Sequence, residues 1–178
     1  MNAIAVSATL LYATIGFALG ARVETTPAAP SIRLALELSS TQNTYRVGEA
    51  VLLRIQVRNA SSGAVSVADI SPWFAVKIAV SRDGATLVQP SSDHLPYSPK
   101  SPSATRLPPG HLYTYHFGDS QSNPLGAYPL SDWGYGPLPA GRYTIAAIPV
   151  QVAAIEQHRW FTLDEHQQSN AVQVEIIP

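Results

Sequence analysis

The feature that most constrains the fold is a strict alternation of side chains between residues 51 and 58. Every second position is apolar, and all but one of the positions between them are polar. The apolar positions are Val51, Leu53, Ile55 and Val57. A period of two is typical of a β-strand with one buried face and one solvent-facing face. Gly48 precedes the strand and residues 59–63 follow it, which predicts a turn at each end.

The rest of the chain repeats this pattern of short β-rich runs separated by Gly, Pro, Asn, Asp and Ser. The 178 residues suffice for one domain. We therefore expect an all-β protein, an immunoglobulin-like antiparallel β-sandwich of about seven to nine strands. Two long loops rich in Pro and Gly, residues 89–110 and 118–141, interrupt the strands. Residues 151–157 are expected to form at most one short turn.

Composition excludes several classes of function. The chain has no Cys, so disulfides and thiolate metal sites are unavailable. Its net charge is −1 and only 13% of its residues are charged, without the basic stripe of a nucleic-acid-binding protein. We expect no nucleic-acid partner.

Residues 1–20 carry no charged side chain and end in small residues, as secretory signal peptides do. The alternative is an uncleaved membrane anchor, because an apolar run of this length is near the lower limit for spanning a bilayer. Residues 21–31 are expected to be a flexible linker, and residues 32–178 the folded domain. The predicted location is the periplasm or the extracellular space.

Three segments together resemble secreted bacterial immunoglobulin-like domains. The segments are Tyr45–Val51, Leu107–Gly110 and Leu138–Ile145. Their layout is similar to that of the BsuPI family, which includes proteinase inhibitors. The resemblance covers roughly residues 32–150, and it implies the sandwich fold and, as one alternative, inhibition of a proteinase.

No motif for catalysis stands out. The sequence has no nucleophile elbow, no metalloprotease His pair and no phosphate-binding glycine loop. His111 and His116 are five residues apart, so on one strand they would face opposite sides and could not share a metal. We expect no enzymatic activity, no cofactor and no metal. Asn59 begins a glycosylation sequon, Asn-Ala-Ser.

The long loops carry the candidate binding residues Trp133, Tyr135, Tyr128 and Tyr97. Aromatic side chains on a stiff loop are typical of partner recognition. The sequence thus predicts a monomeric binding module that recognises a protein through the two loops. Proteinase inhibition and carbohydrate binding on the same aromatic rings are the alternatives, and in a further one Trp133 folds back to cap an open end of the sandwich. Trp73, Trp160 and Phe161 are expected to be core residues.

Overall fold

The computed structural model of the chain describes residues 32–87, 103–116, 123–156, 159–164 and 166–178. The predicted signal peptide and linker lie outside these residues, as do Tyr97 and residues 89–102 and 118–122 of the two predicted loops.

Within the described residues the chain forms thirteen short strands, one α-helical turn and one 3₁₀ turn. The strands are β1 (Leu34–Ser40), β2 (Thr44–Arg46), β3 (Leu52–Asn59), β4 (Val65–Ala68), β5 (Val76–Arg82), β6 (Ala85–Thr86), β7 (Ala104–Leu107), β8 (Leu112–Thr114), β9 (Ala127–Pro129), β10 (Gly141–Pro149), β11 (Ala153–Glu156), β12 (Arg159–Thr162) and β13 (Val172–Ile177). Helix α1 spans Pro72–Ala75, and the 3₁₀ turn spans Leu130–Trp133.

These strands form three sheets in the described part of the chain. The first sheet joins β1, β3 and β8, with β9 also paired to β3. The second has the order β2-β13-β10-β5-β6, and the third has the order β12-β11-β4-β7. The apolar faces of the first two sheets meet in one buried cluster that includes Leu53, Ile78 and Ile145. The all-β sandwich expected from the sequence is confirmed.

The alternation of apolar residues that predicted β3 matches the observed burial of its side chains. Val51, Leu53, Ile55 and Val57 are 4%, 0%, 1% and 0% exposed, and the residues between them are half-buried. Burial of such side chains is the main favourable term in folding, at roughly 1.5–3 kcal/mol each.

Two features give the sandwich its immunoglobulin-like character. The chain crosses from the first sheet to the second between β1 and β2, because β1 pairs with β3 whereas β2 pairs with β13. Tyr143, near the start of β10, donates its hydroxyl proton to the carbonyl of Pro139 at 2.8 Å. A tyrosine bonded to the backbone just upstream is the corner found in immunoglobulin-like sandwiches.

Several local expectations were wrong. The β2–β13 pair is parallel rather than antiparallel, and strand β11 occupies residues that were expected to form only a turn. Phe161 is 41% exposed rather than buried, because β12 lies at the edge of the third sheet. Trp73 lies in α1, half-buried against the core. The Trp160 side chain lies outside the described part.

The described parts of the two predicted loops are more regular than expected. Residues 104–107 form β7, which is an edge strand, the position where a proline-flanked strand is tolerated. Residues 127–133 form β9 and the 3₁₀ turn.

Candidate functional site

The aromatic residues predicted to contact a partner are buried. Trp133 is 2% exposed, Tyr135 is 5% and Tyr128 is 7%. In this conformation these side chains offer little surface to a partner, so their role in binding stays a prediction. The alternative in which Trp133 folds back onto the sandwich matches the structure. The fourth candidate, Tyr97, lies outside the described residues.

Trp133 and Tyr135 cover the free edge of β5. The carbonyls of Val76, Ile78 and Val80 point away from β10, and β6 is too short to reach all three. The backbone N–H of Leu87 binds the Val80 carbonyl at 2.8 Å. The Tyr135 hydroxyl donates to the Ile78 carbonyl at 2.7 Å, and the Trp133 indole donates to the Val76 carbonyl at 3.1 Å.

The spacing of the two rings explains this fit. Carbonyls on one edge of a strand recur every second residue, and the two aromatic residues are also two positions apart. Gly134 between them adopts a left-handed conformation with φ of 85°, which ends the 3₁₀ turn. Burial raises the pKa of Tyr135, and the backbone N–H of Val80 opposes that shift. The segment acts as a side-chain substitute for a missing strand.

Tyr128 belongs to a row of tyrosines on the inner face of the first sheet. Opposite β3, Tyr113 pairs with Val57 and Tyr128 with Leu53. Between them, the backbone N–H of Tyr115 binds the carbonyl of Ile55. The three residues therefore share the inner face of this sheet, where Tyr115 and Tyr128 are buried and Tyr113 is half-buried. The Trp73 ring packs edge-on against Tyr128 at 5.7 Å between centroids.

The exposed end of this row carries a carboxylate that sequence analysis did not single out. Asp69, which follows β4, accepts the Tyr113 hydroxyl at 2.5 Å and the Ser103 hydroxyl at 3.0 Å. The Asp69 side chain is exposed, and Tyr113 is half-buried. The Tyr113 and Tyr115 rings meet edge to face at 5.2 Å. We call Asp69, Ser103, Tyr113 and Tyr115 the Asp69 cluster.

The electrostatics of the Asp69 cluster favour neutral tyrosines. Burial, the hydrogen bond to Asp69 and the negative charge of Asp69 all raise the pKa of Tyr113. Burial and the Asp69 charge raise the pKa of Tyr115. The buried Tyr115 hydroxyl has no hydrogen-bond partner within the described part of the chain. Each oxygen of the Asp69 carboxylate accepts one of these hydrogen bonds, and its remaining lone pairs can accept a further donor from outside.

The Asp69 cluster also lies where the two long loops meet the sheets. Ser103 is the first described residue after residues 88–102, and His116 is the last before residues 117–122. The backbone N–H of Asp69 binds the Ser103 carbonyl at 2.8 Å. Asp69 and α1 come from the β4–β5 connection, a position that the alternation of apolar residues alone does not reveal.

Two open grooves elsewhere are less suited to a ligand. One, of about 200 Å³, lies between residues 48–51 and 129–138. Its one carboxylate, Glu49, accepts the backbone N–H of Arg46 at 2.9 Å and so closes a turn. The second, of about 410 Å³, is polar and lies on the second sheet around Arg142 and Glu175, which pair at 3.4 Å.

Three further points concern metal ligands, the glycosylation sequon and membrane-spanning helices. The described residues contain no cluster of three His, Asp or Glu side chains that could hold a metal. Asn59 is fully buried, and its amide donates to the carbonyls of Gly63 at 2.8 Å and Leu107 at 2.9 Å. The Asn59 side chain is therefore enclosed by the domain, and a glycan has no room on it. Among the described residues no helix is long and apolar enough to span a bilayer.

No protein-family model and no curated protein matches the chain. A solved structure, the CARDB domain of a Pyrococcus furiosus protein in complex with di-metal ions, aligns with 14% sequence identity and a TM-score of 0.37. The alignment covers 82% of this chain and 89% of that one.

Proposed function

We propose that this protein is a secreted, non-enzymatic binding module that recognises a protein partner at the Asp69 cluster. One observation carries the proposal. An exposed carboxylate is fixed by two hydroxyl donors beside half-buried aromatic rings, where both long loops meet the sheets.

Each part of this surface has a role in recognition. Both Asp69 oxygens already accept one hydrogen bond, which fixes the carboxylate before a partner arrives and lowers the entropic cost of binding. A carboxylate can accept further bonds through its remaining lone pairs, so Arg, Lys or backbone N–H groups of a partner are suitable donors. Trp73 and Phe74 supply half-buried aromatic surface of the kind enriched at interfaces.

The proposal includes secretion and, as a more specific form of protein binding, inhibition of a proteinase. The apolar residues 1–20 support export. The layout similar to the BsuPI family makes proteinase inhibition the narrower form, in which the partner is a proteinase. The carbohydrate alternative uses the same groups, since sugars stack on aromatic rings and donate to carboxylates.

The test compares two Asp→Asn variants that remove one exposed negative charge each. Asp69→Asn alters the proposed surface. Asp83→Asn is the matched control, because Asp83 lies in the β5–β6 turn with its side chain 78% exposed. Its φ of 51° suits Asn as well as Asp. Each protein is immobilised and exposed to an envelope fraction, to a proteinase panel and to a glycan array.

We expect the wild type and Asp83→Asn to retain one protein that Asp69→Asn loses, with all three melting alike. A retained proteinase whose activity falls on binding would establish the inhibitor. Retention of glycans in place of proteins would replace the proposal with the carbohydrate alternative. Equal capture by all three proteins would refute the role of Asp69.

A further inference from the structure

The first strand of the sandwich has a backbone edge that the described part of the domain does not cover. In the β1–β3 register, Arg33 and Thr41 bond to the residues opposite them. The alternation of an antiparallel ladder then directs the N–H and C=O groups of Leu34, Leu36 and Leu38 to the other edge of β1.

Side chains block part of the free strand edges. The Asn170 amide pairs with both backbone groups of Leu38, accepting its N–H at 2.9 Å and donating to its carbonyl at 2.8 Å. Trp133 and Tyr135 block β5 in the same way. Over the described part of the chain, the edge-facing groups of Leu34 and Leu36 have no such partner. An open edge with free donors and acceptors is a template for strand addition.

The side chains beside this edge are complementary to themselves. Arg33 and Glu37 flank Ala35 on the outward face of β1, four residues apart with opposite charges. If β1 meets an antiparallel copy of itself across a two-fold axis at Ala35, Leu34 lies opposite Leu36 of the second copy. Arg33 then lies opposite Glu37 of that copy, and the pairing occurs twice by symmetry.

We propose that the open edge of β1 pairs with β1 of a second copy of this chain in that register. Four backbone hydrogen bonds, contributed by Leu34 and Leu36 of each copy, join the two first sheets into one. Two Arg33–Glu37 pairs flank the axis. This dimer contact does not involve the Asp69 cluster, and it replaces the monomer expected from the sequence.

The charges select this register over its neighbours. A shift of the pairing by two residues puts Arg33 opposite Ala35 or Ser39, and both ion pairs are lost. Glu37 already binds Arg58 at 2.6 Å, but a carboxylate has lone pairs for a second guanidinium. A net charge of −1 leaves little repulsion between two copies. Because the contact is a single short edge, we expect a weak dimer.

The test is sedimentation velocity of the purified protein over a dilution series from millimolar to micromolar. Arg33→Glu and Glu37→Arg each place like charges opposite each other, so each variant alone should dimerise at least about fivefold more weakly than the wild type. An equimolar mixture of the two restores both pairs, and it should form a heterodimer. Arg142→Glu is the matched control on the second sheet, where the side chain is 84% exposed, and it should dimerise like the wild type.

Ala35→Lys provides a variant that keeps the Glu37–Arg58 pair intact. It places two ammonium groups opposite each other on the axis, so it should also dissociate the dimer while circular dichroism stays unchanged. A wild type that remains monomeric at every concentration would overturn the proposal. So would a dimer that persists unchanged in Ala35→Lys, or a mixture of the two charge variants that does not recover dimerisation.

Discussion

The cover on the β5 edge can be tested by removing one oxygen atom. Tyr135→Phe deletes the hydroxyl that donates to the Ile78 carbonyl at 2.7 Å and leaves the ring in place. Tyr135 is 5% exposed, so water cannot replace the lost donor. A buried carbonyl left without a partner costs about 1–3 kcal/mol. We therefore expect the free energy of unfolding to fall by about 2 kcal/mol, within that range.

The assay is urea unfolding followed by circular dichroism, together with a thermal melt. For a chain of this size, Tm should fall by about 2–4 °C for each kcal/mol lost. Tyr113→Phe is the matched control, because its hydroxyl binds the exposed Asp69 carboxylate and water can take its place there. The control should cost about 0.5–1 kcal/mol. Equal losses in the two variants, or no loss in Tyr135→Phe, would refute the edge-cover interpretation.

Three further predictions follow from buried groups and from one tight turn. Asn59→Ala should lower the free energy of unfolding by about 2–4 kcal/mol in urea titration, since two buried carbonyls lose their donor. Mass spectrometry of the wild type from a glycosylating host should find Asn59 unmodified. The pKa of Tyr113 and of Tyr115 is raised in the folded state, so their contribution to stability is complete below the ordinary tyrosine pKa of about 10 and is lost as pH rises above it. Absorbance at high pH should show both ionising only as the protein unfolds, and ionisation before unfolding would contradict this. Gly126→Ala should destabilise by about 2–4 kcal/mol, because φ is 56° and a Cβ would lie 2.6 Å from the Thr114 side chain. Gly84→Ala, with φ of 82° and open space around it, should cost only about 1–2 kcal/mol, and equal thermal shifts would argue against the clash.

Sequence reasoning was most successful where a strand has one wet and one buried face. The alternation in β3 predicted which side chains enter the core, and Leu53 and Val57 are fully buried. The turn at Gly48 was also predicted, and Gly48 adopts a positive φ of 88°. Local steric rules determine such features, so neighbouring residues suffice to reveal them.

The candidate site could not be predicted from patterns among neighbouring residues. The Asp69 carboxylate accepts hydrogen bonds from Ser103 and Tyr113, which lie 34 and 44 residues away in the chain. Trp133 and Tyr135 were candidate binding residues because they lie in a segment rich in Gly and Pro, a composition typical of exposed loops. Their polar atoms are instead satisfied by carbonyls 57 residues upstream.

The sequence by itself therefore determined the all-β class, the inward faces of its long strands and its tight turns, since periodicity and backbone sterics act over a few residues. Only the tertiary structure decided which strand edges are covered, which aromatic rings are buried and which carboxylate accepts hydrogen bonds from hydroxyl groups. Those outcomes depend on backbone groups that one strand leaves unpaired and that a distant segment supplies. The pairing of such groups is set by sheet order and register, which no single stretch of the chain encodes.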